Sequence, residues 1–154
     1  MQAPDPLLAL EHDHVHLSRL VADLRSGFDQ GDVDPDEIAA TLAALRDDLF
    51  EHFGREEEVL FPYLMETLPD LRSAIARLED AHDRICGAVS RLHSVAAKGS
   101  SALREQHALA EQLFRRFDTD YVEHARHESE LLRSLAARLS DEQRLHVRTL
   151  MRGV

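Results

Sequence analysis

The 154-residue chain is long enough for one domain with its own core, and with 44% hydrophobic and 31% charged residues it reads as a soluble helical protein. Its formal net charge of −11 leaves no basic face for nucleic acid or an anionic membrane surface. The single Cys86 excludes an internal disulfide, no apolar run approaches the ~20 residues that span a bilayer, and Met1 to Leu10 lacks the pattern of a signal peptide, so a cytoplasmic protein is expected.

The first helix is expected from about Asp5 to Arg25, with Gly27 and Gly31 marking its exit; its inner stripe reads Leu7, Leu10, His14, Leu17, Val21, Leu24, Phe28. Asp34-Pro35-Asp36-Glu37 starts the second, with a capping Asp, a proline in the first turn and acids at the positive end of the dipole. That helix should reach about Met65, loosened near its end by Pro62, and its stripe is Ile38, Leu42, Leu45, Leu49, His52, Glu56, Val59, Tyr63. The third helix, from Pro69-Asp70 to Lys98-Gly99, carries Ile75, Leu78, His82, Ile85, Val89, Leu92, Ala96. The fourth is expected unbroken from Ser101 to about Ala137, through Asp118-Thr119-Asp120, with Leu103, His107, Ala110, Phe114, Phe117, Tyr121, His124, Glu128, Leu131, Leu135 inside. Ser140-Asp141-Glu142-Gln143 caps a short fifth helix ending near Arg152. Short connections between long helices predict an all-α fold: an up-down-up-down four-helix bundle over about 5–139 and a C-terminal helix over about 141–152, forming a single domain, 1–154.

Six positions on these apolar stripes carry His or Glu instead. His14 and the apolar residues after it match His82 and those after it, position for position, and His52-x3-Glu56 matches His124-x3-Glu128. The distance from the first ligand-type His to the second agrees between the two halves to within about one helical turn, ~6 Å of rise. Two helical hairpins therefore present equivalent groups at nearly one height. Residues four apart share a helix face, so His52 with Glu56 and His124 with Glu128 each aim two donors at one volume, and His14 and His82 face them from the other helices. Burying four imidazoles and two carboxylates together is costly unless a metal takes up their lone pairs and charge. Mixed N/O ligation excludes a thiolate zinc site and disfavours magnesium and calcium; it suits iron, manganese or zinc, two His to each of two ions, with both Glu able to bridge.

Glu11-His12-Asp13-His14, the run from His52 to Pro62, Ala81-His82-Asp83-Arg84-Ile85 and His124-Ala125-Arg126-His127-Glu128 together resemble the hemerythrin-like, HHE cation-binding family, over about Leu7 to Leu139. The resemblance implies a non-haem di-iron centre. Its two iron ions, taken ahead of zinc or manganese, would be bridged by oxygen and by Glu56 and Glu128, with His14, His52, His82 and His124 as terminal ligands. Such a centre meets O2, hydrogen peroxide or nitric oxide. The chain departs from the oxygen-carrying hemerythrins at Cys86, where they place a further His, and at Ser129, where they place an Asp. Reversible oxygen carriage is therefore not expected, and peroxide breakdown or sensing fits better. The alternative is a non-catalytic iron carrier or donor serving iron homeostasis or the repair of iron centres. A small diatomic or peroxide ligand is the expected partner, with the protein a monomer or weak dimer.

The remaining residues read more plainly. Tyr121, one turn before His124, is either a core aromatic with a bonded hydroxyl or a group that reaches the metals as ligand or proton donor. His107 is too far along the axis to join the site and is expected in the core or at the bundle end. His12, His16, His93 and His146 lie off the stripes and are expected in solvent, as are Glu57, Glu58 and Glu130; His127 lies on the neighbouring face. Cys86 is expected as a small core residue, and Leu17, Leu49, Ile85 and Phe117 as the lining of a cavity beside the site.

Overall fold

The computed structural model describes residues 5–31 and 34–152; the ends of the expected domain, residues 1–4 and 153–154, lie outside the described residues. The fold is all-α, with no strand among the described residues. Helix α1, Pro6–Gln30, begins where the Asp5 side chain accepts the Leu7 N–H at 3.0 Å. It runs past the expected exit at Arg25: Gly27 is buried within the helix, and the chain leaves only at Gly31, whose φ of 69° is the left-handed conformation that ends helices. Helix α2, Pro35–Arg55, starts as expected, with the Asp34 carboxylate on the Asp36 N–H at 3.0 Å.

Beyond Arg55 the structure departs from the single helix expected to Met65. Glu56–Leu60 form a π-helical turn, in which the Phe61 N–H reaches back to the Glu56 carbonyl, and α3, Phe61–Thr67, follows. Pro62 offers no N–H and its ring crowds the carbonyl four residues back; the wider turn just upstream relieves both problems. The extra residue also shifts the helix phase. Leu60, Phe61 and Leu64 become fully buried, whereas Tyr63, expected on the inner stripe, is only half-buried.

After a 3-10 turn at Pro69–Leu71, helix α4 spans Arg72–Ala97. The expected fourth helix is in two pieces, α5, Ser100–Glu105, and α6, His107–Arg138. Asp118–Asp120 is regular helix, and the break is at Gln106, with φ −106° and ψ 27°. The break resets the phase, so Leu103 is seated in the core while His107 turns outward. Helix α7, Asp141–Arg152, opens with a reciprocal cap: the Ser140 hydroxyl accepts the Gln143 N–H at 3.1 Å, and the Gln143 side chain accepts the Ser140 N–H at 2.9 Å.

Helix α1 packs on α2 and α6, and α4 packs on the same two. Their buried apolar residues separate into two clusters. One holds Leu17, Leu24, Leu42, Leu49, Ile85, Phe114 and Phe117 among others; the second holds Leu7, Leu10, Leu60, Phe61, Ile75, Leu78, Leu132 and Leu135, and Val147 of α7 closes it. Between them each helix carries its buried polar residues. Along the chain α1 and α4 run from the second cluster to the first, and α2 and α6 run the other way. No described helix is long and apolar enough to cross a membrane.

Candidate metal centre

The polar layer consists of His14, His52, Glu56, His82, His124 and Glu128, none more than 7% exposed. All six residues singled out on the stripes are therefore brought together. The imidazoles turn their Nε2 atoms inward. His14 Nε2 lies 3.1 Å from His52 Nε2; Glu128 Oε1 is 3.2 Å from the first and 3.3 Å from the second, and Glu128 Oε2 is 2.7 Å from His124 Nε2. Glu56 Oε1 is 3.0 Å from His52 Nε2 and 3.7 Å from His82 Nε2.

Two donor sets stand out, His14–His52–Glu128 and His82–His124–Glu128, each with its ligand atoms within 4.8 Å of one another. Glu128 belongs to both, and Glu56 lies against one His of each. A metal ion holds such ligands at ~2.0–2.2 Å, so neighbouring donors on one ion stand about 3 Å apart, as several of these pairs do. Close as some of them come to one another, both oxygens of Glu56, Oε2 of Glu128, Nε2 of His82 and both ring nitrogens of His124 are buried and lack the geometry of a hydrogen bond to any described residue. Orphaned acceptors at this density are what a metal site leaves when only the protein is considered. The donor set fits one or two cations of the imidazole-and-carboxylate class.

Electrostatics point the same way. Burial, together with the charges of His124, His52 and His14, pushes His82 down to about 2, and burial with the charges of His14 and His52 pushes His124 down to about 3. Both are thus neutral imidazoles with lone pairs to give. His52 differs: burial opposes its charge, but the hydrogen bonds it donates to Asp13 and Glu128 outweigh burial and raise His52 to about 9. Glu128, fully buried, is nevertheless held ionised by its bonds to His14 and His52. A cation entering here displaces a proton and takes over the neutralisation of the two carboxylates.

A comparison with protein families decides the affiliation: the model of the hemerythrin HHE cation-binding domain matches residues 5–136. The chain belongs to that family. Neither a curated protein nor a solved structure matched it closely enough to add detail. For a hemerythrin HHE domain, the inward histidines and glutamates are the natural place for the cation.

This domain surrounds its site with groups that the stripe pattern missed. Asp13 Oδ2 accepts from His52 Nδ1 at 3.1 Å and is itself 3.3 Å from Arg55. Glu57, expected in solvent, is 40% exposed yet puts Oε1 3.1 Å from His82 Nδ1. Each carboxylate is one residue away from a stripe residue, and that adjacency was the available signal. The Ser129 hydroxyl lies 3.5 Å from His14 Nδ1. Phe53 stacks on His82 with centroids 3.7 Å apart and meets His124 edge-on at 5.4 Å, while Phe61 covers the His82 ring at 5.8 Å.

Tyr121 is buried with its hydroxyl 3.4 Å from the Ser18 hydroxyl and its ring stacked on Phe117, the arrangement of a core aromatic. Burial raises its pKa, offset in part by Ser18. Cys86 is half-buried at the core edge, and burial with the charges of Glu57 and Asp83 raises its thiol to about 11. His107 is half exposed beside Glu111 and Phe28, so its place is the bundle end and not the core. His12, His16, His127 and His146 are exposed, His16 paired to Asp48 at 2.7 Å; His93, expected in solvent, is half-buried and 3.1 Å from Arg46. Of the four residues expected to line a cavity, Leu17 borders a cleft beside His52, while Leu49, Ile85 and Phe117 are fully buried in the first cluster.

Proposed function

We propose that this domain carries a dinuclear non-haem iron centre that binds or reduces a small oxidant such as O2, hydrogen peroxide or nitric oxide. The single observation that carries this reading is the pair of donor sets sharing Glu128, enclosed in a layer of otherwise orphaned polar atoms. His14 and His52 would hold one ion and His82 and His124 the other, with Glu128 and Glu56 reaching both. When bound, the iron pair supplies one-electron redox chemistry and open positions for a small ligand. The protein's own residues would hold His82 and His124 neutral, neutralise the ions with two carboxylates, and exclude bulk water by the apolar clusters on either side.

Cys86 and Ser129 replace donors of the oxygen carriers, which supports peroxide breakdown or sensing over reversible carriage. The alternating direction of α1, α2, α4 and α6 supports an up-down-up-down four-helix bundle in one domain, with α7 closing its end. The acidic surface and single cysteine support a cytoplasmic monomer or weak dimer whose partner is a small molecule. The same net charge of −11 favours a second reading, a non-catalytic iron donor or carrier. Iron analysis with optical spectra before and after peroxide tests both. Two irons per chain and a spectrum changed by peroxide with turnover support the redox reading; two irons released to an acceptor without peroxide consumption support the donor. Zinc regardless of supply overturns both.

A further inference from the structure

The four inward imidazoles are not equally held, and the difference divides along the two donor sets. A metal-bound imidazole gives its other nitrogen to an orienting acceptor, and the strength of that contact sets how firmly the ligand stays in place. In the first set, His52 has the Asp13 carboxylate at 3.1 Å, and Asp13 is clasped in turn by Arg55 from the same helix as His52. His14 has the Ser129 hydroxyl at 3.5 Å. In the second set, His82 has Glu57 at 3.1 Å, but among the described residues no arginine or lysine forms an ion pair with Glu57. His124, with its side chain 2% exposed, has no hydrogen-bond partner for Nδ1 among the described residues, and it forms part of the wall of a cleft of about 520 Å³ between α4 and α6.

We propose that the two ions are held unequally: Asp13 and Glu57 are positioning residues, one for each ion, and the ion held by His82 and His124 is the one that exchanges. This rests on the dinuclear reading above. The first set is braced at both imidazoles and the second at one only, by a carboxylate that no arginine clasps among the described residues. Clefts border both sets, but those beside His14 and His52 meet imidazoles that have an outer partner, whereas the α4–α6 cleft meets His124, the imidazole least constrained to remain in place.

The test is release of iron from the fully loaded protein to an excess of ferrous chelator, followed optically, after the starting content of two irons per chain is measured. Wild type should release in two phases of equal amplitude. Glu57→Ala should speed the fast phase alone, and Asp13→Ala the slow phase alone, each by ~10- to 100-fold, the usual cost of losing an outer partner of a metal ligand. Asp13→Asn, which keeps an acceptor for His52 Nδ1, should fall between wild type and the alanine variant. Melting of the metal-free variants is the control for a merely structural role: Asp13→Ala should melt somewhat lower, because it loses its bonds to His52 and Arg55 in that form too, while Asp13→Asn and the 40% exposed Glu57→Ala should stay close to wild type, so a release rate changed without a matching change in melt marks the positioning role. A single release phase in wild type, or Asp13→Ala acting on the fast phase, overturns the inference while leaving the dinuclear site intact. A starting content below two irons counts against the dinuclear reading itself.

Discussion

Glu128 is the one side chain common to both donor sets, so its replacement separates a metal ligand from a buried structural acid. Glu128→Gln preserves the volume of a residue that is 1% exposed and removes only its charge. Its oxygens lie 3.2 Å from His14, 3.3 Å from His52 and 2.7 Å from His124, so in the loaded protein the change withdraws an anionic ligand from two cations in a low dielectric. Removing one partner from a buried charge pair costs ~3–5 kcal/mol. At ~1.4 kcal/mol per tenfold, the affinity for iron should fall by ~10²–10³-fold or more. In the metal-free protein the loss is smaller, because there the carboxylate faces the neighbouring imidazoles and not two cations. The assay is iron content after exhaustive buffer exchange, with melting curves of loaded and metal-free protein. The expected result is a fall from two irons to one or none and a melt of the loaded variant close to that of its metal-free form. Two irons retained with an unchanged melt, or equal losses of stability in both forms, would refute the assignment of Glu128 as a shared ligand.

Three further outcomes follow from the geometry. Tyr121→Phe removes a 3.4 Å contact with Ser18 and should cost ~1 kcal/mol in denaturant melts while leaving iron content and spectrum unchanged; a changed spectrum would mean that the phenol reaches the metals. Phe117→Ala opens a cavity at a fully buried ring and should cost ~3–5 kcal/mol by urea unfolding of the metal-free protein, a loss that a well-packed core cannot avoid. Arg138 bonds both oxygens of Asp70, at 2.9 and 2.8 Å, and holds that carboxyl below its ordinary 3.8. A depressed carboxyl stabilises the fold above its unfolded pKa and loses that effect as pH falls through the folded value. Asp70→Asn should therefore flatten the decline in urea stability below about pH 4 and do nothing to its shape at neutral pH.

The helices and the polar layer were legible because both rest on periodicity: each inward His or Glu occupies a position where the stripe calls for an apolar side chain. What was not legible depends on geometry between helices or on small breaks in phase. Asp13 and Glu57 sit off the stripes, and their role appears only when a neighbouring helix places an imidazole nitrogen within reach. His107 fits the stripe of an unbroken helix, and the interruption at Gln106, which no proline or glycine announces, carries it outward. Pro62 correctly signalled a disturbance, but the relief came upstream, so Tyr63 lost its inner place to Leu64.

The π turn at Glu56–Leu60 acts as a vernier between two registers that one regular helix could not satisfy together. Above it, His52 and Glu56 must face the same volume, four residues apart; below it, Leu60, Phe61 and Leu64 must face a second apolar cluster whose phase is set by α4, α6 and α7. Deleting one residue between Glu57 and Val59 should convert the stretch to ordinary helix, yet it forces a choice. Either Glu56 rotates away from the imidazoles or the lower cluster loses its seating. The same extra residue therefore lets the polar layer and the lower core vary in sequence independently, each free to drift without turning the other.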